Sequence, residues 1–207
     1  MKFSADDFKK IEAAVAAAEK RTSGEIVPMI VSRSSVRSHV PFLAGLVLAL
    51  LILSIDWYLG LPLRPYAWLA PVQAAVVFGL AWLSAGSNFL LRLLTDDDDL
   101  AFQCQVRARL EFWEAGLHKT DGSTGVLIFI SNAEHQAVVL ADDSVAKKLP
   151  EDAWQPVVDR LVAGLKKGDC AQGFSDAIDL CASILEKHFP PKPQDRNELP
   201  NRLVVKD

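Results

Sequence analysis

The sequence predicts an α/β protein, an α/β/α sandwich with a small central mixed sheet, interrupted by a two-helix transmembrane hairpin. Three observations carry this expectation. Two long apolar runs lie close together, with no charged residue over 40–55 and none over 65–91. Three β-branched runs, "EIVPMIVS", "TGVLIFIS" and "HQAVVLAD", alternate with stretches of helical periodicity. With the apolar runs set aside, the 207 residues leave about one ordinary domain.

The opening helix is well signed. Ser4 stands at its cap with Asp7 three residues on, and Phe3 and Phe8 are spaced as a hydrophobic staple. Phe8, Ile11, Val15 and Ala18 then form one apolar face. The first strand follows in "EIVPMIVS", where Pro28 favours an edge position or a bulge. This first part of the domain, 1–38, is too small to fold alone, so residues 93–189 complete its core.

Between them lies the hairpin, 39–92. Its second run exceeds the ~20 apolar residues that cross ~30 Å of hydrocarbon. The first reaches spanning length when Asp56, Trp57 and Tyr58 sit at the interface. Trp57, Tyr58, Tyr66 and Trp68 surround the turn as an aromatic belt would. Two buried helices of a soluble bundle are the competing reading, but such helices seldom run so far without charge. Lys20, Arg21, Arg33 and Arg37 precede the spans, Arg92, Arg107 and Arg109 follow, and only Arg64 lies between. The positive-inside rule then keeps both termini in the cytoplasm of a multi-pass inner-membrane protein. The charged, amphipathic N-terminus is no secretory leader. "SAGS", 84–87, offers a small-residue contact through which a homo-oligomer can form.

The returning chain repeats the opening grammar. Leu94, Thr95, Asp98 and Leu100 occupy the positions of a capped helix start, continued by Phe102, Val106, Trp113 and Leu117 at helical spacing. "TGVLIFIS" suits a strand buried on both faces, and a short turn joins it to "HQAVVLAD" as an antiparallel hairpin. Trp154, Val158, Leu161 and Leu165 stripe the next helix, which stops at Gly168. Asp169 with Gln172 caps the last, striped by Phe174, Ile178, Cys181 and Leu185. A proline-rich extended tail, 190–207, closes the chain, and the apolar "LVV" favours its latching onto the domain.

Composition excludes some partners. A net charge of −4 without a basic tract argues against nucleic acid. Cys104, Cys170 and Cys181 show no CxxC spacing and read as reduced residues in helices. His39, His118, His135 and His188 are scattered without ligand spacing, and no P-loop, HExxH or nucleophile elbow is present. The catalytic residues, if the chain is an enzyme, are unassigned.

Two acidic groups draw attention. Asp96 to Asp99 follow the second apolar run, where an acidic first turn suits the helix dipole and marks the chain's exit from the bilayer. Asp142 and Asp143 directly follow a strand, where ligands of α/β folds collect. Two adjacent carboxylates suit Ca²⁺ or Mg²⁺, and Glu25, Asp121, Glu151 or Asp152 are candidates to complete the shell. The competing and favoured reading is that one of the pair caps the short helix "SVAKKL".

The words "TSGEIVPMIV", "ARLEFWEAGLHKT", "TGVLIFIS", "VVLADDSV", "DAWQPVVDRLVAGLKKGD" and "NELPN" occur here in order over most of the chain outside the apolar runs. This ordered set resembles the TPM domain family, which includes thylakoid-lumen acid-phosphatase-like and photosystem-repair proteins and a receptor-accessory protein. It is most similar to a membrane-associated bacterial branch whose tails carry Asn-Glu-Leu-Pro. The resemblance implies an α/β/α sandwich. It also departs from the pattern: the hairpin interrupts the domain after the first strand, and "ADDSVAKKLPEDAW" has no glycine where the phosphatase-like relatives carry a glycine-rich turn. The loss removes a place where backbone N–H groups approach a phosphate. Two functions follow as expectations. One is a non-catalytic accessory or assembly module that sits in the lipid bilayer and binds another membrane protein. The other is a divalent-metal-dependent acid phosphatase acting through Asp142 and Asp143.

Overall fold

The computed structural model describes residues 3–34, 96–191 and 197–206, with scattered positions between 45 and 79. It divides into two compact units, residues 1–34 with 101–207, and residues 35–100.

In the first unit, α1 (Ala5–Glu19) begins in a full capping box. The Ser4 hydroxyl accepts from the Asp7 N–H at 3.2 Å, and the Asp7 carboxylate accepts from the Ser4 N–H at 2.8 Å. Phe3 and Phe8 close the staple, with ring centroids 5.7 Å apart. The chain then enters β1 (Glu25–Val31). After α2 (Asp97–Glu114) come β2 (Gly125–Ser131) and β3 (Gln136–Ala141). The short α3 (Asp143–Ala146), then α4 (Gln155–Lys166) and α5 (Cys170–Leu185), precede a last strand, β4 (Val204–Lys206).

The four strands lie in the order β3-β2-β1-β4, with β2 and β4 parallel to β1 and β3 antiparallel to β2. The mixed sheet and the β2–β3 hairpin are as the sequence predicts. Two features of the sheet differ. The tail contributes β4, whose Val204 to Lys206 pair with Met29 to Val31. That pairing makes β1 an interior strand and removes the edge position expected from Pro28. The proline is tolerated because β4 begins its register at Met29, one residue beyond it.

Helices cover both faces. On one, Ile11, Val15 and Ala18 of α1, Val157 and Leu161 of α4, and a whole face of α5 meet Ile26, Ile30, Val126, Ile128 and Ile130 of the sheet. On the other, Cys104, Ala108 and Phe112 of α2 meet Val27, Met29, Leu127 and Phe129. The side chains of β1 and β2 therefore alternate between two cores, which explains their unbroken apolar sequence. The face of α2 corrects the sequence reading. Of the four residues expected to stripe it, Leu117 is buried beyond the helix end, but Phe102, Val106 and Trp113 are exposed, with Leu110 beside them. The buried face uses Cys104, Ala108 and Phe112, one or two positions away.

Glu111 is buried, with its side chain only 2% exposed. It accepts from the Arg107 guanidinium at 2.7 Å and from Lys206 Nζ at 2.5 Å, and the same ammonium reaches Glu114 at 2.9 Å. This charge pair ties β4 to α2. Removing one partner would strand a buried charge.

The second unit is described only at separated positions. Residues 45–47, 49–51 and 54 are helical, and the Ser54 hydroxyl donates to the Leu50 carbonyl at 2.7 Å. Leu46, Val47, Leu50, Leu51 and Val76 are each more than half exposed. Among the described residues no helix is long and apolar enough to cross a membrane. Most of the predicted hairpin, 39–92, falls outside the described residues, as do His39, Thr95 and 84–87.

α4 and α5 meet backbone to backbone. A Cβ on Gly164 would lie 2.3 Å from Gly173 Cα and 2.7 Å from its N, so only glycine fits there. The turn between the helices uses Gly168 at φ +79° and the Asp169 carboxylate, which accepts from Gln172 N–H at 2.9 Å. Gly164→Ala is expected to force the helices apart and destabilise the domain by about 1–3 kcal/mol. A denaturant melt of the variant reads this as a lower midpoint, and an unchanged midpoint would show that the helix contact is slack.

Candidate functional site

β3 is one edge of the sheet, and its outer side opens into a cleft of about 820 Å³. Gln105, Arg109 and Trp113 of α2 form one wall. Leu149, Pro150, Trp154 and Val158 form the other, with β3 as the floor. Asp142 and Asp143 stand where β3 ends, beside Ser123 of the preceding loop.

The acid pair is divided between two roles. Asp142 is the cap of α3, and its Oδ1 accepts from the Asp143 N–H at 2.8 Å. This is the capping role that the sequence favoured. Its Oδ2 is buried without a hydrogen-bond partner among the described residues, while Asp143 is exposed. His118 lies in a short 3-10 turn, its ring 4.1 Å from that of Trp113, and its buried Nδ1 also lacks a described partner. Both unsatisfied atoms belong to residues that line the cleft.

Of the other acids raised from the sequence, the Glu151 side chain lies outside the described residues. Register places Glu25 opposite Gly125, and Asp142 N–H donates to the Gly125 carbonyl at 2.9 Å, so Glu25 and Asp142 share one end of the sheet. Glu25, however, faces the tail: its Oε1 accepts from the Glu198 N–H at 3.2 Å. The Glu198 carboxylate in turn accepts from the Asp121 N–H at 2.8 Å. Asp152 is exposed in the turn after Pro150. Among the described residues no group of three His, Cys, Asp or Glu side chains is placed to hold a metal. Asp96 to Asp99 are exposed at the start of α2. His135 sits in the β2–β3 turn at φ 56°, and the carbonyl of His188 accepts from Lys148 Nζ at 3.2 Å.

One acidic pair escaped the sequence reading. Glu19, at the end of α1, lies beside Glu25, and the two carboxyls interact. Burial and then the charge of Glu25 push the Glu19 carboxyl from 4.5 up to about 8. Glu25 is itself raised by burial. Asn201 of the tail also hydrogen-bonds Glu19, so the tail touches both acids, through Asn201 and Glu198. No local motif announces this, because Glu19 and Glu25 belong to different elements and the tail arrives from far along the chain.

Taken together, these elements define a three-layer α/β domain with a cleft at one sheet edge and an acidic, tail-covered end. Residues 91–184 match the family model described as the TPM domain. The fold is similar to the solution NMR structure of BA42 protein from the psychrophilic bacterium Bizionia argentinensis, at a TM-score of 0.62 and 20% identity. That likeness covers 99% of this chain and 96% of the other. No curated protein matches the chain.

The Glu19–Glu25 pair predicts a pH dependence. A carboxyl whose folded value lies above its unfolded one contributes stability that is complete below the unfolded value and lost as pH rises through the folded value. For Glu19 that window runs from 4.5 to about 8. The melting temperature is therefore expected to fall as pH rises across it. Glu19→Gln keeps a polar side chain without the charge and is expected to flatten the fall. An equal slope in wild type and variant, by calorimetry, would assign the dependence elsewhere.

Proposed function

We propose that this chain is a membrane-anchored accessory module whose TPM domain binds and helps to assemble or maintain another membrane protein. The cleft beside β3 carries this reading: its floor and most of one wall are apolar or aromatic, a surface suited to holding a polypeptide. The anchor is the pair of uncharged runs, 40–55 and 65–91, read as a hairpin with both termini in the cytoplasm. The exposed apolar helical positions Leu46, Val47, Leu50, Leu51 and Val76 are compatible with a hydrocarbon surround. On this reading the chain comprises 1–38 and 93–189 as one domain, 39–92 as the anchor and 190–207 as the tail. Affinity purification of the full chain from crosslinked membranes, at native abundance, is expected to recover a membrane protein in constant proportion. Recovery of this chain alone would contradict the proposal.

A second reading, a Ca²⁺- or Mg²⁺-assisted acid phosphatase, is favoured by one observation, the buried and unpartnered Oδ2 of Asp142 at the cleft. The residues fit such an ion only in part. Asp142 and Asp143 supply carboxylate oxygens, but Oδ1 of Asp142 is held as a helix cap, and a Ca²⁺ shell takes 6–8 oxygens. Bound there, the ion would supply Lewis-acid stabilisation of phosphate charge. Phosphate release from an aryl phosphate, lost in an Asp142→Asn/Asp143→Asn variant, would establish this reading. Release unchanged in that variant would remove Asp142 and Asp143 from it.

A further inference from the structure

The geometry of the sheet edge specifies how a partner is held. In the β2–β3 ladder Asp142 lies opposite Gly125, and the Asp142 N–H donates to the Gly125 carbonyl. In an antiparallel ladder, residues directing both backbone groups inward alternate with residues directing both outward. Counting back from Asp142, Leu140, Val138 and Gln136 face β2 with their backbone groups. Ala137, Val139 and Ala141 therefore turn their N–H and C=O groups away from it. Among the described residues no backbone bond receives these outward groups. All three line the cleft. Unpaired strand edges are usually covered, charged or bulged, because they recruit other strands. Here the edge is six residues long, uncharged along the strand, and recessed between walls bearing Trp113 and Trp154.

We infer that β3 is a docking strand that takes an extended, unfolded segment of a partner polypeptide as a fifth strand of the sheet. The inference rests on the partner-binding reading above and names its mode. Backbone groups at Ala137, Val139 and Ala141 supply main-chain hydrogen bonds at strand spacing, which an extended backbone satisfies and a helix or lipid does not. Side chains alternate between the two walls, so the bound segment alternates in character, with apolar residues directed at Trp154, Leu149 and Val158. Antiparallel addition places the segment's N-terminal residues beside Asp142 and Asp143, where Lys or Arg is favoured. A second copy of this chain is a poorer occupant, since its own β3 lies recessed at the floor of the same cleft.

The test pans a phage-displayed random heptapeptide library against the full chain in detergent. The strongest binder is then synthesised in plain form and with its alternate amides N-methylated. The expected result is enrichment of alternating apolar sequences with Lys or Arg in the N-terminal half, and at least a tenfold loss of affinity on N-methylation. Ala137→Pro removes only an outward N–H and is expected to give a similar loss with the β2–β3 ladder intact. Should Ala137→Pro disturb the fold, the N-methylated peptide decides alone. No enrichment, or binding indifferent to N-methylation, overturns the inference. So does self-association by light scattering that Ala137→Pro abolishes, because the occupant is then a second copy. A chain that recovers a membrane partner from cells yet selects no extended peptide overturns the docking strand and leaves the accessory role standing.

Discussion

The fold depends on β1. Its seven residues pair with β2, whose sequence begins about a hundred residues later, and with β4 at the far end of the chain. Both apolar cores rest on its alternating side chains, Ile26 and Ile30 on one face, Val27, Met29 and Val31 on the other. The sheet cannot close until the chain on both sides of the 35–100 unit has been brought together. Contacts of such sequence separation carry a loop-closure cost that grows only slowly with length, so an inserted unit of that size is thermodynamically tolerable. The insertion follows β1 directly, at a strand end, where it leaves the ladder undisturbed.

The tail is the second consequence of that arrangement. β4 covers the β1 edge of the sheet, and charge fixes it: Lys206 meets Glu111 and Glu114, while Glu198 grips the Asp121 amide and offers its own N–H to Glu25. β4 thus forms one edge of the sheet, three residues long. The other, β3, is left facing the cleft. The acidic end formed by Asp142 and Asp143 lends that cleft a polarity.

Much of this was legible in the sequence, and the failures have physical causes. The Ser4–Asp7 box, the unbroken apolar β2 and the Asp169 cap depend on neighbours within a few residues, and each stands where local chemistry puts it. β4 was invisible as a strand because three residues gain nothing from strand propensity alone; the waiting edge of β1 creates it. The face of α2 misled because two stripes satisfy helical spacing. Burial chose Cys104, Ala108 and Phe112, which fit close against the sheet, over the bulkier Phe102, Val106 and Trp113. Of the candidate site, the position of Asp142 and Asp143 at a strand end could be read directly, as could a capping role for one of the two, which the structure gives to Asp142. The cleft could not, because it is made by α2, β3 and the segment after α3 meeting in space. The Glu19–Glu25 pair was hidden for the same reason.

The central claim is that the outer edge of β3 is unpaired in the free protein, while β2 and β1 are paired on both sides. Amide hydrogen exchange of the full chain, read residue by residue, tests it most directly. Ala137, Val139 and Ala141 should exchange fast, while Val138 and Leu140 and the amides of β1 paired to β4 stay protected by their ladders. Slow exchange at all three outward amides, matching that of their neighbours, would contradict the account by showing that the edge is already filled.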